Sequence, residues 1–213
     1  VITTMKYLAL SLIALLLGTL IASGQQETWD LWDDAVIEKA NTAKNGSYYN
    51  DEEKEVVQLM NLSRIDGKLF ASTFLTYYIQ SNGMTKNSYV NSLFRDLKSV
   101  SKLPVLVPKK DLSDIADGHA TKSGKTGHVG HKDMQKRFKP IFGSAYYSMA
   151  ENCSYGYSEA MDIVITLLID DGIKSLGHRK NILNESYSSV GVAIRPHKEY
   201  QDNCVIDFGG RSY

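Results

Sequence analysis

Apolar side chains recur along this chain in three rhythms, and each rhythm predicts a different kind of element. The first is a nearly unbroken apolar run from Tyr7 to Ala22, placed after Met5-Lys6 and before Ser23-Gly24. One positive charge, an apolar core and small residues at Ala22 and Gly24 predict an export signal over 1–24, with Met5 as the true start. The competing reading is an uncleaved membrane anchor, because the run nearly matches a bilayer's thickness.

The second rhythm has helical spacing. It is weak around Leu31, Ala35 and Val36, where 25–50 reads as a short helix and linker. It is clearer from Glu52 to Arg64, where Asp51 is the expected cap and an acidic first turn suits the helix dipole. Asp66-Gly67 breaks that helix, and Leu69, Phe74, Tyr77 and Tyr78 resume the period. Tyr89, Val90, Leu93, Phe94 and Leu97 repeat it before Pro104. Leu112, Ile115, Ala116 and His119 fall at i, i+3, i+4 and i+7, behind Asp111 or Ser113 as a cap. After Ser158, a stretch from Ala160 to Ile169 is apolar nearly all round, which predicts a buried helix.

The third rhythm alternates. Val190, Val192 and Ile194, then Cys204, Ile206 and Phe208, predict two antiparallel strands joined across 196–203. A third strand is expected at Ala145 to Met149.

Charge changes the picture by exclusion. Twenty-four basic and twenty-four acidic residues leave no net charge, which removes the basic face that nucleic acid requires. The chain carries two cysteines, Cys153 and Cys204, and an exported protein keeps disulfides. Their pairing would close a loop of about 50 residues and contribute roughly 3–4 kcal/mol. Two separate buried thiols are the alternative.

The candidate chemistry is concentrated in a few side chains. His119 sits on a buried stripe where leucine would cost less, so it needs a polar partner. His128 and His131 lie in a glycine-rich loop. Asp170-Asp171 closes the buried helix at its negative end, so a cationic, protic or metallic neighbour is expected.

Ala150-Glu151-Asn152, the buried helix, Gly177-His178-Arg179-Lys180-Asn181-Ile182-Leu183 and Val190-Gly191-Val192-Ala193 form an ordered set. Together with Ala116-Asp117-Gly118-His119-Ala120 they resemble the bacterial branch of the CAP superfamily, the cysteine-rich secretory, antigen 5 and pathogenesis-related proteins. The resemblance implies an α+β fold over 51–213, an α-β-α sandwich with a small central antiparallel sheet between helical layers. An aromatic helical stretch at about 66–102 would be an insertion. It also implies a cleft formed by His119, Glu151, His178 and a second acid, where Asp171 aligns better than Asp170 and the usual residue is a longer glutamate.

Two imidazoles with carboxylates could hold zinc or another divalent cation, through His119 and His178. Metal-assisted hydrolysis would then be open, with Glu151 and Asp171 as the candidate catalytic acids. No shared enzymatic activity is established across that family and fold does not fix function, so the favoured expectation is a binding module for a lipid, sterol or protein ligand. The expected location is secreted or periplasmic, with no membrane span after signal cleavage.

Overall fold

The computed structural model describes residues 24–211. The expected export signal lies outside the described residues, apart from Gly24. Among the described residues no helix is long and apolar enough to cross a membrane.

Residues 24–30 are helical, and α1 (Asp34–Ala40) follows. Helix α2 (Asp51–Ile65) starts at the expected cap itself, so the cap moves one residue back. Asn50 takes that role because its side chain accepts from the Glu53 amide while Glu53 reaches back to the Asn50 amide. That reciprocal pair satisfies two amides that the first turn would otherwise leave open. The next helical stretch runs through α3 (Gly67–Phe70), a π-helical turn (Ala71–Leu75) and α4 (Thr76–Ser81). Helices α5 (Ser88–Ser99) and α6 (Lys110–Thr126) are longer, and α7 (Met134–Phe138) is a single turn and a half. The N-cap of α6 is Lys109, with no side-chain cap, so neither Asp111 nor Ser113 serves as expected. Asp111 instead accepts from Tyr146 Oη at 3.0 Å.

Four strands make one sheet in the order β1-β3-β4-β2. Strand β1 (Val107–Pro108) runs parallel to β3 (Ser189–His197). Strand β4 (Gln201–Gly210) pairs antiparallel with β3 and with β2 (Ser148–Tyr155). The β3–β4 hairpin matches its alternation. Strand β2 starts later than Ala145 and runs through Glu151 and Cys153. The acidic motif Glu151-Asn152 is therefore part of the sheet.

Each strand presents alternate residues to two helical layers. Val190, Val192 and Ile194 face one side with Cys204, Ile206 and Phe208, packing on α2 and on α8 (Ala160–Ile169). The aromatic stretch belongs to this layer, since Phe70, Phe74 and Tyr78 are buried in the same core. Cys153, Ala193 and Val205 face the other side, against Ala116 and Ala120 of α6. The fold is thus an α-β-α sandwich.

Helix α6 lies very close to the sheet because two glycines allow it. A Cβ at Gly191 would stand 2.2 Å from the Leu112 carbonyl carbon, and one at Gly124 would stand 2.1 Å from the Pro196 oxygen.

The register overturns the expected disulfide. Cys153 pairs directly with Val205, which puts Cys204 on the opposite face of the sheet. Both thiols are buried and free. Vectors that diverge across a sheet cannot form a disulfide without moving a strand.

Candidate functional site

Strand β2 delivers Glu151 to the α6 face, where its side chain is fully buried. A lone carboxylate there would be costly, and the chain supplies two donors from one connecting segment. Arg137 of α7 grips it with both terminal nitrogens, at 2.6 Å to Oε2 and 3.0 Å to Oε1. His131 donates from Nδ1 to Oε1 at 2.9 Å. Burial opposes ionisation, but the His131 and Arg137 hydrogen bonds outweigh it and hold the carboxyl at about 2. Glu151 is therefore a carboxylate at any ordinary pH.

The same segment is fastened at three further points. His119 Nε2 lies 3.0 Å from the Gly130 carbonyl, so that nitrogen carries the proton and donates. The Gly130 amide donates to Tyr155 Oη at 2.8 Å. His197 donates from Nε2 to the His128 carbonyl and accepts the Glu199 amide at Nδ1. These bonds form a strap from 127 to 138 across the sheet, tied down by β2, β3 and α6.

Burial lowers the basicity of His119, against the Glu151 charge, so the imidazole is neutral near pH 7. Cys153 stands 3.7 Å from His131 Nδ1 and 3.8 Å from Glu151 Oε1. Burial, and then the Glu151 charge, push its thiol well up, which keeps it protonated and a poor nucleophile. Asp207, the direct β4 neighbour of Glu151, is buried with neither oxygen hydrogen-bonded among the described residues. Burial, and then the Glu151 charge, raise its pKa well above the usual carboxylate range, so it holds its proton.

His178 occupies a different place. It opens α9 (Gly177–Ile182), and its Nδ1 donates to Asp170 Oδ1 at 2.7 Å while its amide donates to Oδ2 at 2.9 Å. Asp170 caps α8 in the left-handed region, at φ 57°. The expected protic neighbour of the acidic pair is therefore His178. Asp171 accepts from Asn87 Nδ2 at the surface. The His178 carbonyl accepts from Asn152, whose side chain points away from the Glu151 face.

The structure thus brings His119 and Glu151 together and pairs His178 with Asp170 in a second cluster, while Asp171 bonds Asn87 instead. Among the described residues, His119, Glu151 and Cys153 bring ligand atoms within 4.8 Å of one another, and His131 Nδ1 stands within 3.7 Å of the last two. This donor set does not suit a divalent cation as it stands. Arg137 occupies both Glu151 oxygens, and the His119 nitrogen nearest Glu151 is turned to a carbonyl.

Above the cluster, between α6 and the strap, lies a cavity of about 350 Å³ lined by Gly118, His119, Lys122, Lys132, Lys136 and Arg137 among others. No residue of 66–102 lines it, because that aromatic stretch packs on the far side of the sheet. Sequence reasoning passed over Arg137 and Asp207. Arg137 sits in a basic, loop-like run with no periodicity, whereas Asp207 carried a usable signal, a charge within the apolar strand Cys204–Phe208.

The sequence profile described as the cysteine-rich secretory protein family, CAP, matches residues 93–208. A comparison with curated proteins gives no match. Among solved structures, an extracellular SCP-domain protein of Bacillus anthracis is similar at 17% identity and TM-score 0.45, over 75% of this chain and 41% of that one. The chain thus spans less than half of that protein's length. Schistosoma mansoni venom allergen-like protein 4 is similar at 12% identity and TM-score 0.47, over 77% and 92% of the two chains. An outer surface protein of Borrelia burgdorferi is similar at 19% identity and TM-score 0.42, over 58% and 90%.

Proposed function

Because the chain belongs to the cysteine-rich secretory protein family, we propose that it is an exported binding module whose ligand seats in the cavity between α6 and the strap. The observation that carries this reading is the state of Glu151. A carboxylate held at about 2 by Arg137 and His131 is too weak a base for proton transfer near neutrality. Both of its oxygens are engaged, so its role is to hold the strap that roofs the cavity. Metal-assisted hydrolysis, the competing reading, needs a donor set with an open position, and Arg137 stands in the way.

The size of the cavity narrows the ligand. About 350 Å³ lies at the low end of the roughly 300–1,000 Å³ typical of small-molecule sites. That suits a small molecule or the head of a larger one better than an enclosed sterol. The rings of Phe70, Phe74 and Tyr78 are buried in the core of the opposite layer, so the aromatic stretch adds nothing to this ligand seat.

Gly118 gives a clean test. It lines the cavity from the middle of α6, and a Cβ there meets nothing within 4 Å. Gly118→Phe should plug the cavity while keeping the helix, since glycine is the weaker helix former. Small-molecule ligands that raise the melting temperature of the wild type should lose that effect in the variant. Ligands that stabilise both proteins equally, or ester turnover lost in Glu151→Gln, would overturn the reading.

A further inference from the structure

The cavity wall carries an unbalanced charge. Lys122 projects from α6, and Lys132 and Lys136 come from the strap and α7. Like most lysines of the described residues these three have no ion-pair partner, but they alone are gathered around one concavity, with no carboxylate bound to any of them. Arg137 also reaches the wall, but its charge is cancelled by Glu151 beneath. Asp133 is the one carboxylate in the lining. The chain as a whole is neutral, so this positive excess is a local concentration and does not reflect a generally basic protein.

Three exposed ammonium groups around one small concavity repel one another unless an anion sits between them. Burial of part of the wall strengthens the field inside, as concave sites focus charge. Lysine acts toward phosphate as a mobile point charge, and three such donors match a group with three outward oxygens and close to two negative charges at neutral pH. We propose that the cavity binds a phosphomonoester, either on a soluble small molecule or as the head of an anionic lipid. Arg137 sets the floor and does not take part, because leaving Glu151 would strand a buried carboxylate.

This inference rests on the binding reading above, and its test separates the two. Inorganic phosphate and glycerol phosphate are titrated calorimetrically into the wild type, Gly118→Phe, and the variants Lys122→Gln, Lys132→Gln and Lys136→Gln singly and together. Each single change should weaken binding about ten-fold, the loss expected for a charged hydrogen bond. Binding should also fall steeply as salt is raised. All three lysines are exposed, so the variants should keep the wild-type melting temperature, and any that do not are replaced by methionine, which keeps the aliphatic stem and removes the charge.

Sedimentation with phosphatidylcholine vesicles, plain or doped with phosphatidic acid, distinguishes the sources. Capture by doped vesicles alone assigns the lipid head, and titratable glycerol phosphate without vesicle capture assigns the soluble ligand. Phosphate affinity that survives the triple lysine change, or an absence of binding to both probes, overturns the proposal. In the latter case, a neutral ligand displaced by Gly118→Phe would still support the binding reading. A phosphate site unaffected by Gly118→Phe would place phosphate binding elsewhere and overturn this proposal.

Discussion

Glu151 on β2 lies directly across from Asp207 on β4, and the two carboxyl groups share one buried face in opposite protonation states. Arg137 and His131 claim the charge for Glu151, and the resulting anion forbids a second one beside it. Their pH effects have opposite sign. Glu151, held at about 2, contributes stability that is complete above the unfolded carboxylate range and fades as pH falls toward 2. Asp207, with its proton held more tightly than in the unfolded chain, favours the fold most at low pH. That advantage is lost as pH rises from about 4 through its elevated folded value.

Asp207→Asn should therefore raise stability at neutral pH, by about 1–3 kcal/mol, because it keeps the shape without the latent charge. The gain should shrink toward pH 4. Thermal melts of both proteins across pH 4–8 check this, and a variant less stable at pH 7.5 than at pH 4 relative to wild type would refute the protonated state.

Arg137→Ala should be far more damaging than its partly exposed position suggests. It leaves the fully buried Glu151 with only His131, and losing one partner of a buried pair costs about 3–5 kcal/mol. The acid limb of the stability profile should also move up, since Glu151 would then protonate nearer its ordinary range. His131→Ala should cost less, because that ring is 45% exposed and Arg137 keeps its two bonds. Urea melts at two pH values read both effects.

The cysteines give a prediction that needs no mutation. Since Cys153 and Cys204 face opposite sides of the sheet, reducing agent should leave the melting temperature unchanged. A thiol reagent should find both groups, slowly in the native protein and at once in denaturant. An oxidised protein that loses about 3 kcal/mol on reduction would restore the disulfide.

These residues also mark how much could be read from the chain. The helical stripe that buried His119 and the alternation Val190, Val192, Ile194 are local patterns, and both elements form where they predict. The cysteine pairing depended on strand parity, and parity is set by register against a partner strand, which composition does not reveal. Likewise, Glu151 reads as half of a cleft with His178, whereas its actual partners come from a glycine-rich loop and a short helix. Arg137 reaches Glu151 through chain geometry alone. The Asp170-Asp171 expectation fared better, because a helix end makes a local electrostatic demand that His178 meets nearby.

That second cluster supplies the last prediction. Asp170 serves three donors, the ring and amide of His178 and more distantly the Arg179 amide, while sitting at φ 57°. Asp170→Ala removes every acceptor and also places alanine in a left-handed conformation that disfavours a Cβ, so a loss of about 2–4 kcal/mol is expected. Asp170→Asn keeps the left-handed preference and one acceptor, and should lose about half as much. His178→Ala should lose less again, since the Asp170 carboxylate keeps its amide partners and reaches water where the ring stood. The order Ala, Asn, then His178→Ala is the reading to check by denaturant melts. Phosphate titration on the same variants should show unchanged affinity, because neither residue lines the cavity. An affinity loss that tracks these variants would join the two clusters into one site.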